Sequence, residues 1–202
     1  MKMRFVLATG NKGKIVEMQT ILHALSIETV TMEALGIALE VEETGQTFLE
    51  NAILKAEAVS RAAGLPAIAD DSGLVVDALG GAPGVHSRRY GGGNLDDRGL
   101  CDYLLGQMAD KEQRAARFVC SIVSLFPEHG QISATGVCEG EVLHAPRGTG
   151  GFGYDPVFAV NGTGKSMAEL SQEEKNAVSH RGRALRSFAK ELEEHLKIEG
   201  RV

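Results

Sequence analysis

An apolar run that stops on two adjacent carboxylates constrains this chain more than any other stretch. Residues 66–73 read Pro-Ala-Ile-Ala-Asp-Asp-Ser-Gly. Small and β-branched residues that give way to charge, a hydroxyl and glycine describe a buried strand with acidic groups at its carboxyl end. Open α/β sheets hold their ligands at that end of their strands. Side chains alternate along a strand, so Asp70 and Asp71 cannot both enter one site unless the chain turns there. Asp-Asp-Ser-Gly is also the composition of a turn closed by its own side chains. This window alone leaves both readings open.

The amino-terminal stretch repeats the strand-to-loop pattern. Residues 4–8 read as a strand, broken at Thr9-Gly10-Asn11-Lys12-Gly13-Lys14, and Ile15, Met18, Ile21, Leu22 and Leu25 then recur at helical spacing. A loop that opens a helix presents free N–H groups, and with two lysines it is a phosphate cradle or a plain solvated loop. It is not a Walker A loop, because Ala8 and Ile15 stand where that motif needs glycine and a hydroxyl. Residues 39–45 are an acidic segment ending in Glu43-Thr44-Gly45, and Thr47-Phe48-Leu49-Glu50 has the form of a capping box. The helix it opens ends at Gly64 and Pro66 and carries Lys55, whose role the spacing does not decide.

Past the paired aspartates, residues 80–93 form a glycine-rich loop with Arg88, Arg89 and Tyr90, either functional or connecting. A helix is expected over 95–109, a strand over 117–126 and a second strand over 131–138. The short connection Pro127-Glu128-His129-Gly130 forces an antiparallel pair. Gly148, Gly150 and Gly153 match GxGxxG, yet Tyr154-Asp155-Pro156 follows instead of a helix, so a dinucleotide site fails its context. What remains is a flexible backbone carrying Phe152 and Tyr154, suited to stacking a base or packing a core. Ser171-Gln172-Glu173-Glu174 is another capping box, and a final amphipathic helix follows Ser179-His180-Arg181-Gly182. Lys175, His180 and Arg181 thus gather where two helices meet.

Composition narrows the function classes. At 202 residues, with 43% hydrophobic and 24% charged residues, the chain is expected to form one globular domain. A formal net charge of −6 argues against broad nucleic-acid binding and leaves a local basic pocket open. Cys101, Cys120 and Cys138 form no CxxC pair, which fits a reducing, cytoplasmic setting. No stretch approaches the roughly 20 apolar residues of a membrane span.

Six of these stretches occur together and in order: Thr9 to Lys14, Glu43-Thr44-Gly45 with Phe48 to Lys55, Ala69 to Leu74, Gly80 to Gly84, Gly151 to Pro156, and Ser179 to Gly182. The set resembles the inosine triphosphate pyrophosphatase family over about residues 4–196. One departure is His86, where many relatives carry an aromatic. The resemblance implies an elongated α/β fold with a central mixed β-sheet flanked by helices, two lobes around a nucleotide-binding cleft, and a homodimer. It implies Mg2+-dependent conversion of ITP, dITP or XTP to the monophosphate and pyrophosphate, with no nucleic-acid or membrane partner. By motif, Thr9, Gly10, Asn11, Lys12, Gly13 and Lys14 would hold phosphates. Glu43 and Asp71 would bind metal, with Asp71 also the general base. Lys55, Ser72, Phe152, Gly153, Tyr154, Asp155, Lys175, His180 and Arg181 would contact the nucleotide.

The chemistry is compatible with those assignments. Phosphoryl transfer relies on positioning and on cations that stabilise the departing charge, for which Lys14, Lys55 and Lys175 are suited. Asp70 falls to a supporting role. Hypoxanthine and xanthine offer a 6-oxo acceptor where adenine offers a donor, so donors such as Arg181 and His180 would reject adenine. Rival readings are a pyrophosphatase for modified pyrimidine nucleotides and a nucleotide sensor without turnover.

Overall fold

The computed structural model describes residues 4–126 and 130–198. Six strands form one mixed sheet in the order β2-β1-β3-β4-β5-β6. They are β1 (Arg4–Leu7), β2 (Glu28–Thr31), β3 (Ala67–Val76), β4 (Ala115–Phe126), β5 (Gly130–Val142) and β6 (Phe158–Val160). Five helices accompany them: α1 (Lys12–Ala24), α2 (Phe48–Ala63), α3 (Asp97–Gln107), α4 (Gln172–Val178) and α5 (His180–Ile198). β1 pairs in parallel with β2 and with β3, and β5 pairs antiparallel with β6. β4 and β5 are neighbours with only three residues between them, which is too short for a parallel crossover. Residues 127–129 of that expected connection lie outside the described residues.

The boundaries follow from local chemistry. Asn11 caps α1 by accepting from the Lys14 amide, and Thr47 and Glu50 close a reciprocal capping box on α2. Gly64 ends α2 in the left-handed region at φ 64°, a conformation that costs glycine little. The capping box at Ser171 also forms, opening α4.

Contacts gather the chain into two compact units. Residues 1–71, 120–136 and 181–202 make the first, and residues 72–119 and 137–180 the second. In the first, side-chain alternation sorts the core. Phe5, Leu7 and Ile68 pack with Met18, Leu22, Leu185 and Phe188 of α1 and α5. Their sequence neighbours Val6, Ala8, Ala67 and Ala69 pack with Ala52, Ala56 and Val59 of α2. The second unit has its own core, in which Leu74, Val76, Leu100, Leu104, Phe118, Tyr154 and Phe158 are buried together.

Two features position the candidate chemistry in the first unit. The chain leaves β1 through α1 to reach β2 on one side, and returns through α2 to reach β3 on the other side of β1. The loop after β1 therefore stands at a topological switch point, where α/β sheets hold ligands. Secondly, β3 runs without interruption from Ala67 to Val76. The turn open to the Asp-Asp-Ser-Gly stretch is not made, because extended backbone already sends Asp70 and Asp71 to opposite faces.

Candidate active site

In the first unit the loop from Ala8 to Asn11 leads into the amino terminus of α1. The Asn11 amide donates to the Thr9 hydroxyl at 3.2 Å, and the Lys14 amide donates to the Asn11 side chain at 3.1 Å. These bonds shape a helix start on which Thr9, Gly10, Asn11, Lys12, Gly13 and Lys14 all lie at or near the surface. A Cβ at Gly10 would meet no atom within 4 Å, so the space beside it is open. Lys14 Nζ reaches Asp70 Oδ2 at 3.0 Å.

Asp70 shares the face of Ile68 and is fully buried. Its Oδ2 accepts from Arg181 Nε at 3.2 Å and Nη2 at 3.0 Å, while Arg181 Nη1 donates to Glu17 Oε2. Burial would raise the Asp70 pKa, but Lys14, Arg181 and Lys55 outweigh it and hold the carboxyl far below the ordinary range. Burial likewise opposes charge on Arg181, yet Asp70 and Glu17 push its pKa up. Arg181, expected as a base donor, is 1% exposed and directs Nε, Nη1 and Nη2 at these two carboxylates.

Asp71 shares the face of Ala67 and Ala69, toward α2, and meets a different set. Asn51 Nδ2 donates to its Oδ2 at 3.1 Å, and Lys55 Nζ lies 3.4 Å from its Oδ1. The same Nζ stands 2.5 Å from Glu43 Oε1, so two carboxylates converge on one ammonium nitrogen. Burial raises the Asp71 pKa, and the opposing pull of Lys55 and Lys14 does not cancel it. For Lys55 burial lowers the pKa, but Asp71, Asp70 and Glu43 more than restore it.

In the second unit, half-buried Ser72 directly follows Asp71 on β3. Residues 151–155 form a tight loop around Asp155. Asp155 is 3% exposed, and its Oδ2 accepts from the Phe152 amide at 2.9 Å and from Lys175 Nζ at 2.7 Å. The Lys175 ammonium lies 4.6 Å from the centre of the Phe152 ring, a cation–π arrangement. Gly153 is gripped from α3: its amide donates to Asp97 Oδ2 at 2.8 Å, and its carbonyl accepts from Cys101 Sγ at 3.3 Å. Tyr154 is buried and its hydroxyl donates to the Ser87 carbonyl at 2.8 Å, so this side chain is a strut while half-buried Phe152 offers a ring face. His180 is buried and stacks on Phe118, with ring centres 4.7 Å apart and planes 14° from parallel. His86 accepts at Nδ1 from Arg89 Nε at 3.1 Å.

A family model for the Ham1 family matches residues 5–191, nearly the whole chain. The chain belongs to the Ham1 family. The dITP/XTP pyrophosphatase of Streptomyces avermitilis is 48% identical over 197 residues, spanning 96% of this Ham1 chain and 98% of the relative. The dITP/XTP pyrophosphatase of Methylococcus capsulatus is 50% identical over 196 residues, spanning 95% and 97% of the two chains. Among solved structures, a HAM1 protein from Coxiella burnetii superposes with a TM-score of 0.86 at 43% identity, covering 95% of this chain and 99% of that one. The Ham1 protein of Staphylococcus aureus gives 0.85 at 40% identity, covering 95% and 98%.

Sequence pattern does not single out Glu17, Asn51 and Asp97 in this Ham1 chain. Glu17 and Asn51 had a visible signal, because each sits on the buried stripe of its helix beside Met18 and Ala52 respectively. A polar residue on an apolar stripe needs a buried partner. Asp97 gives no such signal, since it is exposed and its partner Gly153 lies 56 residues away.

Proposed function

We propose that this protein hydrolyses the non-canonical purine nucleoside triphosphates ITP, dITP and XTP to the monophosphate and pyrophosphate, removing them from the nucleotide pool. The observation that carries the reading is the convergence of Glu43 and Asp71 on one cationic nitrogen. The names of the similar proteins from Streptomyces avermitilis and Methylococcus capsulatus support the substrate class.

The donor set fits Mg2+, which takes one or two carboxylates and completes its shell with water and substrate phosphate. Among the described residues no group of three or more His, Cys, Asp or Glu side chains forms a metal cage. Glu43 and Asp71 would hold the ion, and Mg2+ when bound would neutralise polyphosphate charge. The chain's own groups do the rest. Amides at the start of α1, with Lys12 and Lys14, bind phosphate oxygens. Asp71 accepts the proton of the attacking water as general base. Phe152 stacks on the base, while donors from His180 and backbone N–H groups suit a 6-oxo acceptor and are left unpaired by a 6-amino group. A site built on such bonds can discriminate by about 10⁴.

The test supplies ITP, dITP, XTP, ATP and GTP with Mg2+ and identifies the products. Pyrophosphate release from the first three with poor turnover of ATP is expected. Orthophosphate release or equal use of ATP overturns the reading. Tight binding of ITP without turnover would instead identify a sensor.

A further inference from the structure

Asn51 is the one fully buried side-chain amide on α2, and both of its ends are occupied. Its Oδ1 accepts from the Gly45 amide at 2.8 Å, and its Nδ2 donates to Asp71 Oδ2 at 3.1 Å. A backbone N–H can only donate, so the Gly45 bond fixes the side chain with oxygen toward Gly45 and nitrogen toward Asp71. Asp71 is then required to present an acceptor oxygen.

Gly45 is the second half of the device. A Cβ there would lie 2.7 Å from Asn51 Oδ1, 2.7 Å from Glu50 Cβ and 3.0 Å from the Asn51 amide. Only glycine allows this approach between segment 39–45 and α2. Two residues earlier stands Glu43, whose carboxylate reaches Lys55 beside Asp71. Segment 39–45 has no regular backbone pairing of its own, being neither helix nor strand. Its hold on the acidic site therefore depends on side-chain bonds.

We infer that Asn51 is a positioning residue that locks the Gly45 peptide to the Asp71 carboxylate, and that Gly45 is glycine to permit it, so that Glu43 and Asp71 keep a fixed separation. The inference rests on the proposed function for its catalytic consequence, while the lock itself is testable without turnover. Misplacing a catalytic constellation by about 1 Å can cost on the order of 10²-fold in rate.

The test compares Asn51→Ala, Asn51→Asp and Gly45→Ala with the parent protein. Asn51→Asp keeps the acceptor for Gly45 and removes the donor to Asp71, which separates the two ends of the amide. Amide hydrogen exchange at Gly45 should accelerate at least about tenfold in Asn51→Ala and stay slow in Asn51→Asp, following the bond that is lost. With ITP and Mg2+, kcat should fall on the order of 10²-fold in Asn51→Ala and Gly45→Ala with KM changed far less. Binding of Mn2+ alone, followed by electron paramagnetic resonance, should weaken at least about tenfold in both, the scale of effect seen when groups that orient metal ligands are removed. The double variant should lose no more than either single one, because both break one device. Folded Asn51→Ala protein with parental kcat and Mn2+ affinity overturns the inference, as does Gly45→Ala protein indistinguishable from the parent. Should Asn51→Ala not fold, Asn51→Asp and Gly45→Ala decide alone. If the parent protein fails to turn over ITP, the proposed function falls, and the Gly45 exchange and Mn2+ results still judge the lock.

Discussion

Asp70 and Asp71 are consecutive on β3 yet serve different neighbourhoods, Asp70 meeting Lys14 and Arg181 and Asp71 meeting Asn51 and Lys55. The alternation that splits the core between Ile68 and its alanine neighbours splits the carboxylates too. One is neutralised by Lys14 and the buried Arg181, and the other keeps a carboxyl whose pKa burial raises. On the proposed function, that asymmetry gives Asp71 the chemistry and leaves Asp70 a structural part.

Replacing Asp71 by Asn should leave a folded protein with almost no turnover. Loss of a general base costs about 10²–10⁴-fold, and loss of a metal ligand adds to it. Steady-state kinetics with ITP beside circular dichroism check this, and parental activity would remove Asp71 from the role.

The Glu17–Arg181–Asp70 group should behave as a buried ionic network. Arg181→Met removes the cation that Glu17 and Asp70 share, leaving Asp70 with Lys14, and should destabilise the protein by about 3–5 kcal/mol in urea titration. The sign with pH follows from the depressed Asp70 pKa. Its contribution is present above its unfolded value of about 4 and fades as pH falls toward the folded value. The stability difference between the parent and Asp70→Asn should therefore be full at neutral pH and narrow below about pH 4.

Gly151 occupies the left-handed region at φ 74°, and a Cβ there would fall 2.0 Å from Asp155 Oδ2. That oxygen holds both the Phe152 amide and Lys175. Gly151→Ala should destabilise the fold by about 1–3 kcal/mol. It should also raise KM for ITP with a smaller effect on kcat, measured with inorganic pyrophosphate inhibition as a control that lacks a base.

All three cysteines are buried. Burial, with nearby Asp97, Asp102 and Asp155, pushes the Cys101 thiol up to about 12, and burial with Asp70 pushes Cys120 higher still. The native protein should resist thiol-specific reagents at mildly alkaline pH, and urea should release three reactive groups. Rapid labelling of a native thiol would contradict the packing.

The sequence by itself determined the helices and two of their caps. Hydrophobic spacing located α1, α2 and α5, and Thr47 and Ser171 announced capping boxes that form. These are local, because a helix start depends on residues within one turn. The acidic and glycine motifs were also legible as a resemblance, since a family pattern is a property of the string. Tertiary structure alone decided the partners. Arg181 meets Glu17 across 164 residues and Asp70 across 111, and Asn51 reaches Asp71 across 20. No local rule connects such positions. The sheet order that brings α1, α5 and β3 together creates those contacts, and burial there makes them strong enough to assign Asp70 and Asp71 different work.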